Sequence, residues 1–263
     1  HPPLNGVDTS NSATAIDQYA TRHNPFVYFH SVIDNAARCD AHVVPLGRVI
    51  PGTGGAPDVF YGHLFQDLRT KGTTPRFMFV TPNLCNDGHD ATCTGVNTEG
   101  THTGGLAAAD LWLKHWMPMI FNSPAYKNGS LLVVLTFDEG NPIADSQACN
   151  PAIAAGSAIC DVPTGPNIAN YGFSPLLGFL NLQSPTGTYP GGGQIGAVLF
   201  NHKFIRPGSI NTTGQYNHFS ALRSYEDLLD ITTGGDDGQG HLGWAAQPDV
   251  TTFGSDVFNA AKP

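Results

Sequence analysis

Charged residues are scarce in this sequence, and long apolar runs are absent. Only 13% of the 263 residues are charged, with 12 Lys and Arg against 21 Asp and Glu, and the net charge is −9. A chain of this charge without a block of basic residues repels a polyphosphate backbone, which argues against extended nucleic-acid binding. No apolar run approaches the roughly 20 residues that a transmembrane helix needs. The 40% of hydrophobic residues is typical of a globular protein that buries a core.

Cysteine is also infrequent, and its spacing leaves one residue over. Cys85 and Cys93 are eight residues apart, and Cys149 and Cys160 are eleven apart. Both spacings suit loops closed by a disulfide, which leaves Cys39 alone. Because the chain is loop-rich, with 31 Gly and 20 Pro, we interpret the pattern as that of a secreted, extracellular or periplasmic protein. The alternative is a set of scattered reduced thiols.

Two further features concern export. The triplets Asn-Gly-Ser at Asn128 and Asn-Thr-Thr at Asn211 match the N-glycosylation pattern. The sequence opens HPPLNGVDTS, without Met and without the apolar stretch of a signal peptide. Either a mature secreted protein begins at His1, or an upstream segment is missing. The odd cysteine favours the second alternative, so we expect the partner of Cys39 to lie outside this sequence.

Predicted strands alternate with predicted helices along the chain. Apolar spacing predicts helices over residues 59–70, 106–121 and 219–231, the second of them ended or kinked near Pro118. Apolar runs predict strands over residues 76–82, 131–139 and 193–202, and a short extended run over 24–33. This order predicts a single α/β domain over residues 1–263, with helices on both faces of a mostly parallel central sheet in a three-layer αβα sandwich. In the last helix four residues are expected to face inward: Phe219, Leu222, Leu228 and Leu229.

An adjacent carboxylate pair, Asp138 and Glu139, stands at the end of an apolar strand and is followed by Gly140. Ligands of open α/β sheets bind beyond the carboxyl ends of strands, and a glycine lets both carboxylates turn toward one ion. Hard cations suit such a pair, since two close carboxylates otherwise oppose each other's ionisation. The pair is therefore a candidate metal site, and a solvated acid pair is the alternative.

A second polar cluster follows the predicted strand at residues 76–82. Asn83 directly follows the strand end. The other members lie between Cys85 and Cys93, the cysteines of the first predicted disulfide: Asn86, Asp87, His89 and Asp90. This polar density exceeds what a turn requires. The cluster is a candidate functional loop, and an Asx-rich surface turn closed by a disulfide is the alternative.

Two histidines lie near predicted helix starts. His218 stands at the start of the last helix, where a helix N-terminus favours the neutral imidazole and so a ligand or hydrogen-bond role. His102 precedes the long helix, where it could help to hold an anion. Either histidine could equally be a solvated surface residue.

Four motifs occur in a fixed order: VTPNLCNDGHD, LLVVLTFDEG, LFNHKFIRPGS and YNHFSALRSYEDLLDI. Together they resemble the phosphoesterase family of secreted bacterial acid phosphatases and phospholipase C enzymes, within the alkaline phosphatase superfamily. TFDE is similar to the T-[WFY]-D-[ED] metal motif of that family, and NDGHD to its N-D-x-H-D loop. YNHFSALRSYED is similar to its Y-[ND]-H-x-S-x-L-R helix. The resemblance covers about residues 20–231 and implies an alkaline phosphatase-like fold.

The resemblance also implies roles for individual residues. Asp138 and Glu139 become ligands of a divalent metal ion, which could be Mg, Mn, Ca or Zn. His89 and His218 become catalytic, the first at the phosphoryl group or its leaving oxygen and the second through hydrogen bonds to phosphate oxygens. The remaining loop residues become supports of the phosphate loop: Asn86, Asp87 and Asp90.

The family pattern also has parts that this sequence lacks. A Glu-Asn pair that completes the metal site and a Ser or Thr nucleophile are expected upstream of His1, and no Glu-Asn dipeptide occurs in the 263 residues. A cysteine just before the HPPLN segment is the implied mate of Cys39. We therefore expect a hydrolase of small phosphate esters or phospholipid headgroups that is inactive as this fragment alone. The alternatives are a related enzyme without a tightly held metal and a non-catalytic secreted binding protein on the same scaffold.

Overall fold

The computed structural model describes residues 15–89, 91–138, 195–211 and 216–259. The chain divides into two compact units, His1–Leu131 and Leu132–Pro263, and each is described by itself. The single domain and the three-layer sandwich stay predictions. Within the described stretches, no helix is long and apolar enough to cross a bilayer.

Helical turns take the place of the extended run predicted over residues 24–33. The elements are two 3₁₀ turns, Thr21–His23 and Pro25–Tyr28, then helix α1 (His30–Ile33) and helix α2 (Ala36–His42). The Asn24 side chain caps the second turn by accepting a hydrogen bond from the Phe26 N–H, and Pro25 has its φ preset for a turn. This local capping is why the predicted extended run was wrong.

A β-hairpin and a short helix replace the single helix predicted over residues 59–70. Strands β1 (Arg48–Ile50) and β2 (Val59–Tyr61) pair antiparallel, and helix α3 is His63–Leu68. Gly62 separates β2 from α3 with a φ of 102°. A Cβ on Gly62 would lie 2.2 Å from the Cα of Gly47, so this crossing of two backbones requires glycine. The helix therefore begins only at His63.

The long predicted helix is confirmed as α4 (Gly105–Asn122), and α5 (Pro124–Lys127) follows it. Its buried stripe contains Trp112, Trp116 and Ile120, and the Trp116 ring packs 5.3 Å from that of Phe60 in β2. Trp116 is 2% exposed, and truncating such a residue to Ala costs roughly 3–5 kcal/mol. The helix continues through Pro118, which is exposed, while Trp116 and Ile120 on its other face are buried.

The strand predicted over residues 76–82 is not formed in the described structure. Phe77 and Phe79 are 45% and 54% exposed, and the Thr81 hydroxyl donates to the His23 carbonyl. A β-strand requires a hydrogen-bonded neighbour, and none of the described residues pairs with this segment as a strand. The apolar residues of this segment were therefore not sufficient to predict a strand.

The second unit contains two predicted strands. β3 (Val133–Thr136) and β4 (Ala197–Phe200) pair antiparallel, with Val133 opposite Phe200 and Thr136 opposite Ala197. Both predictions are confirmed, although each strand is shorter than predicted. The two pairs of strands in the described residues are antiparallel, and the mostly parallel sheet stays a prediction.

Helix α6 (His218–Leu228) confirms the last predicted helix but not its inward face. Its buried residues are Ser220, Ser224 and Glu226, whereas Leu222 is 37% exposed and the other three predicted residues are half-buried. The Ser224 hydroxyl donates to the Ser220 carbonyl and accepts from the Phe253 N–H at 2.9 Å. Small side chains let the segment of Phe253 approach the helix, which apolar spacing does not predict. A 3₁₀ turn, Gly243–Ala246, packs near this helix.

Candidate functional site

The end of strand β3 and the start of helix α6 meet through one hydrogen bond. His218 is the first residue of α6, and its Nε2 lies 2.7 Å from the carbonyl oxygen of Asp138, two residues after β3. A carbonyl only accepts, so Nε2 carries the proton and donates it. The neutral ring then has its lone pair on Nδ1. Two motifs that are 80 positions apart in the sequence are therefore in contact.

The position of His218 is set by the cap of its helix. Asn217 precedes α6 in extended backbone, and its side chain accepts from the Ser220 N–H at 3.0 Å. A capping side chain of this kind fixes where the helix begins and is worth about 1 kcal/mol. His218 itself is exposed, so its ring is open to solvent on the face that the hydrogen bond leaves.

The carboxylate of Asp138 is exposed at the end of β3, as a metal ligand at a strand end would be. Oxygen donors of this kind suit hard cations. Glu139 lies outside the described residues. Among those that the structure describes, no group of three or more His, Cys, Asp or Glu side chains is arranged to hold an ion. The described residues thus supply one suitable donor, and the metal site stays a prediction.

The second predicted cluster lies in the first unit, on a loop closed by the disulfide Cys85–Cys93. This bridge was predicted from the spacing and is present, with the two Cα atoms 5.0 Å apart. The second predicted bridge, Cys149–Cys160, lies outside the described residues. Cys39 is buried and is a free thiol in the described part of the chain.

Asn86 is the structural centre of this loop. It is 6% exposed, and its Oδ1 accepts from both the N–H and the hydroxyl of Thr98, at 3.0 and 2.9 Å. Its Nδ2 donates to Oδ1 of Asn83 at 2.6 Å. These contacts tie the start of the disulfide loop to Thr98, which lies beyond Cys93, so Asn86 acts by holding the loop in shape.

His89 is exposed on the same loop, and its backbone N–H donates to Oδ1 of Asp87 at 3.0 Å. Oδ2 of Asp87 lies 3.9 Å from Nδ1 of His23. Asp87 thus fixes the backbone that carries His89, and its role as a support of a phosphate loop stays a prediction. Asp90 lies outside the described residues. His102 has a structural contact, because its Nδ1 donates to the Gly95 carbonyl at 2.6 Å.

Within the second unit the structure joins Asp138 to His218, and within the first it groups Asn86, Asp87 and His89 on one loop. The predicted residues therefore form two local sites. The geometry of each one is complete enough to test by substitution.

Sequence reasoning missed two buried histidines, each between carboxylates. In α4, Nδ1 of His115 lies 2.6 Å from Oδ2 of Asp58, and its Nε2 lies 3.3 Å from Glu99. Burial raises the pKa of Asp58, but hydrogen bonds from the Gly52 N–H and from His115 outweigh it, and the net pKa is lowered. Hydrogen bonds from Lys114 and then His115 also lower the pKa of Glu99.

The other missed residue is His241, which is 5% exposed in the glycine-rich loop after α6. Its Nδ1 lies 2.5 Å from Oδ2 of Asp237 and its Nε2 lies 3.4 Å from Asp227. The Asp237 hydrogen bond raises the pKa of His241, and in return lowers the pKa of Asp237 to about 2. Burial raises the pKa of neighbouring Glu226, whose Oε1 accepts from the Leu242 N–H. The four-residue spacing of Asp237 and His241 was the available signal.

Comparison with known proteins finds fungal acid phosphatases. The chain is 26% identical over 158 residues to an acid phosphatase of Aspergillus fumigatus, which covers 60% of this chain and 28% of that protein. It is 30% identical over 125 residues to a phosphate-repressible acid phosphatase of Penicillium chrysogenum, covering 48% and 23%. It is 28% identical over 123 residues to an acid phosphatase of Aspergillus niger, covering 47% and 22%.

No family model matches the chain, and no solved structure matches it. The matched region spans only 22–28% of the length of these three relatives. The relatives confirm the predicted kinship with phosphoric ester hydrolases, because acid phosphatases belong to that class of enzyme. They are fungal, whereas the resemblance in the motifs was to a bacterial family.

Proposed function

We propose that the chain is part of an acid phosphatase of the phosphoesterase family and alkaline phosphatase superfamily, with His218 and Asp138 at its reaction site. The observation that carries this proposal is the hydrogen bond from Nε2 of His218 to the Asp138 carbonyl. It joins the two motifs that separately resemble the metal strand and the histidine helix of that family. The fungal relatives give independent support for phosphate-ester chemistry.

His218 has a form that suits a phosphate oxygen. Because Nε2–H is committed to the Asp138 carbonyl, an added proton goes to Nδ1, which then becomes a second donor. With a proton on Nδ1 as well, the ring is a charge-assisted donor for a phosphate oxygen, and the backbone carbonyl holds the ring in place. Stabilising developing charge by fixed donors is the main requirement of phosphoryl transfer.

His89 is the second proposed catalytic residue, acting on the phosphoryl group or its leaving oxygen. Its support is local: the Asp87 carboxylate accepts from its backbone N–H, and the disulfide-closed loop is anchored through Asn86. A rigid loop with an exposed histidine can present an acid or base at a constant position. Asn86, Asp87 and Asp90 are proposed as residues that hold this loop.

Asp138 and Glu139 are proposed to hold a divalent cation, with Mg, Mn, Ca and Zn as candidates. Such an ion, when bound, polarises a phosphoryl oxygen and neutralises its charge. The Ser or Thr nucleophile of the family is proposed to lie in a segment that precedes His1. Export from the cell, and a disulfide from Cys39 to that segment, belong to the same proposal.

The proposal is tested by steady-state kinetics on the whole protein expressed from its full coding sequence. The substrates are 4-nitrophenyl phosphate, a monoester, and bis(4-nitrophenyl) phosphate, a diester. We expect sustained turnover at acidic pH, and the faster of the two substrates assigns the ester class. A correctly folded protein that binds phosphate esters without turning them over would overturn the proposal and favour the non-catalytic binding protein.

A further inference from the structure

Two asparagines carry the N-x-S/T pattern, and their surroundings differ. Asn128 follows helix α5 and Asn211 lies in the second unit, and both are exposed, but the side-chain nitrogen of Asn211 belongs to a hydrogen-bonded group. The sequence pattern alone treats both triplets as equivalent acceptors of an oligosaccharide. Their side-chain contacts separate them.

The turn at Asn128 is a regular helix end. Asn128 is the C-cap of α5, Gly129 has a φ of 78°, and the Gly129 and Ser130 N–H groups donate to the carbonyls of Tyr126 and Ala125. This pair of bonds is the Schellman pattern. The backbone of the triplet is therefore fixed at the surface by bonds that do not involve the side-chain nitrogen of Asn128.

The amide of Asn128 is held by its oxygen. Oδ1 accepts from the Ser130 N–H at 2.9 Å, within the triplet itself, and Nδ2 makes no hydrogen bond with any residue that the structure describes. The nitrogen is the atom that a glycan occupies. Replacing one of its hydrogens with a sugar at this exposed position breaks no contact of the described fold.

Asn211 presents the opposite case. Its Nδ2 donates to the carboxylate of Asp256, and the same carboxylate accepts from the Tyr216 hydroxyl at 2.8 Å. The Tyr216 oxygen in turn accepts from the Gly254 N–H at 3.2 Å. The contacts of Asp256 are exposed, but a bulky glycan on Asn211 would occupy the nitrogen that bonds Asp256 and would disturb that bond.

We infer that Asn128 is an N-glycosylation site that the fold accommodates, and that Asn211 is not the preferred one. In the transfer, Nδ2 of Asn128 bonds to the anomeric carbon of a lipid-diphosphate-linked oligosaccharide. The bond from that carbon to the diphosphate oxygen breaks, the lipid diphosphate keeps the electron pair, and the amide nitrogen loses one proton. The inference rests on the proposed export and not on the proposed hydrolysis.

The test is secretion of the whole protein from yeast behind a secretory leader, so that export is supplied. Peptide N-glycosidase is applied to the secreted protein, and peptide mass spectrometry locates each Asn that has become Asp. We expect this conversion at Asn128, a loss of the electrophoretic shift in Asn128→Gln, and no loss in Asn211→Gln. Ser130→Ala should also abolish the shift although Asn128 is intact, and Ser130→Thr should keep it.

Three outcomes would overturn the inference. One is secreted, folded protein that carries no glycan at Asn128. Another is a glycan at Asn211 in most molecules while Asn128 is bare. The third is a shift that persists in both Asn128→Gln and Ser130→Ala, which would place the sugar elsewhere. None of these readouts depends on phosphatase activity, so a failure of this inference is separate from a failure of the proposed function.

Discussion

Replacing Asn86 with Ala tests whether the disulfide loop depends on one buried amide. The substitution removes the acceptor of the Thr98 N–H and hydroxyl, and the donor to Asn83. Thr98 is half-buried and Asn83 is exposed, so water can replace the contacts of Asn83 and of the Thr98 hydroxyl more easily than that of the Thr98 N–H. A buried polar group left without a partner costs about 1–3 kcal/mol, so we expect a total loss of about 2–3 kcal/mol.

The assay is urea unfolding of the oxidised protein together with amide hydrogen exchange at Thr98. Asn86→Ala should lower the unfolding midpoint and speed exchange at that amide. Asn86→Asp keeps the acceptor but places a carboxylate oxygen against Asn83, so its loss should be smaller than that of Ala if acceptance from Thr98 dominates. The matched control is Asn122→Ala, an exposed asparagine whose Nδ2 donates to the Pro118 carbonyl where water can replace it, with a change within about 0.5 kcal/mol. An Asn86→Ala protein with an unchanged midpoint and unchanged Thr98 exchange would refute the reasoning.

Three further predictions concern the histidines and the acidic pair. His89→Ala in the whole protein should reduce kcat by about 100-fold or more with a smaller change in KM, and a pure KM effect in steady-state kinetics would assign His89 to binding. The raised pKa of His241 contributes stability that is complete below 6.5 and is lost as pH rises through the folded value, and the lowered pKa of Asp237 contributes stability above 3.8. The urea midpoint of His241→Gln should therefore lie furthest below that of wild type between pH 3.8 and pH 6.5, and the two midpoints should converge at alkaline pH. A constant difference across pH would contradict this. Asp138→Asn should weaken binding of Mg or Mn in calorimetry without shifting the unfolding midpoint, and unchanged metal affinity would exclude a ligand role.

The sequence predicted elements whose signal is local and strong. Helix α4 has a buried stripe at four-residue spacing through Trp112 and Trp116, and strands β3 and β4 are uninterrupted apolar runs. The Cys85–Cys93 bridge followed from its short spacing. Each of these features depends on residues that are close together in the chain, which is why sequence reasoning found them.

Features that depend on distant contacts were missed. Strand β2 ends just before Gly62, where the backbone passes close to the backbone of Gly47. The serines of α6 are buried because the segment of Phe253 packs against them. His115 is buried between carboxylates that come from 57 and 16 positions away. No periodicity in the sequence encodes such approaches.

The candidate site shows both cases. The sequence singled out Asp138 and His218 separately, on a strand end and a helix start, and the structure joins them through a backbone carbonyl instead of a side chain. Because every residue has a backbone carbonyl, the sequence does not indicate which one accepts a hydrogen bond. The role of Asn86 as the anchor of Thr98 was likewise visible only in the folded loop.

The central claim, that His218 serves phosphate-ester hydrolysis, is tested most directly by kcat/KM of His218→Ala for 4-nitrophenyl phosphate. The control is His30→Ala in the whole protein, an exposed histidine that pairs with Asp34 at 3.0 Å on a surface helix. Loss of a positioned donor at the transition state costs about 100- to 1,000-fold. The account predicts a fall of this size for His218→Ala and wild-type activity for His30→Ala, both with wild-type unfolding midpoints. Equal activity in the two variants would contradict it.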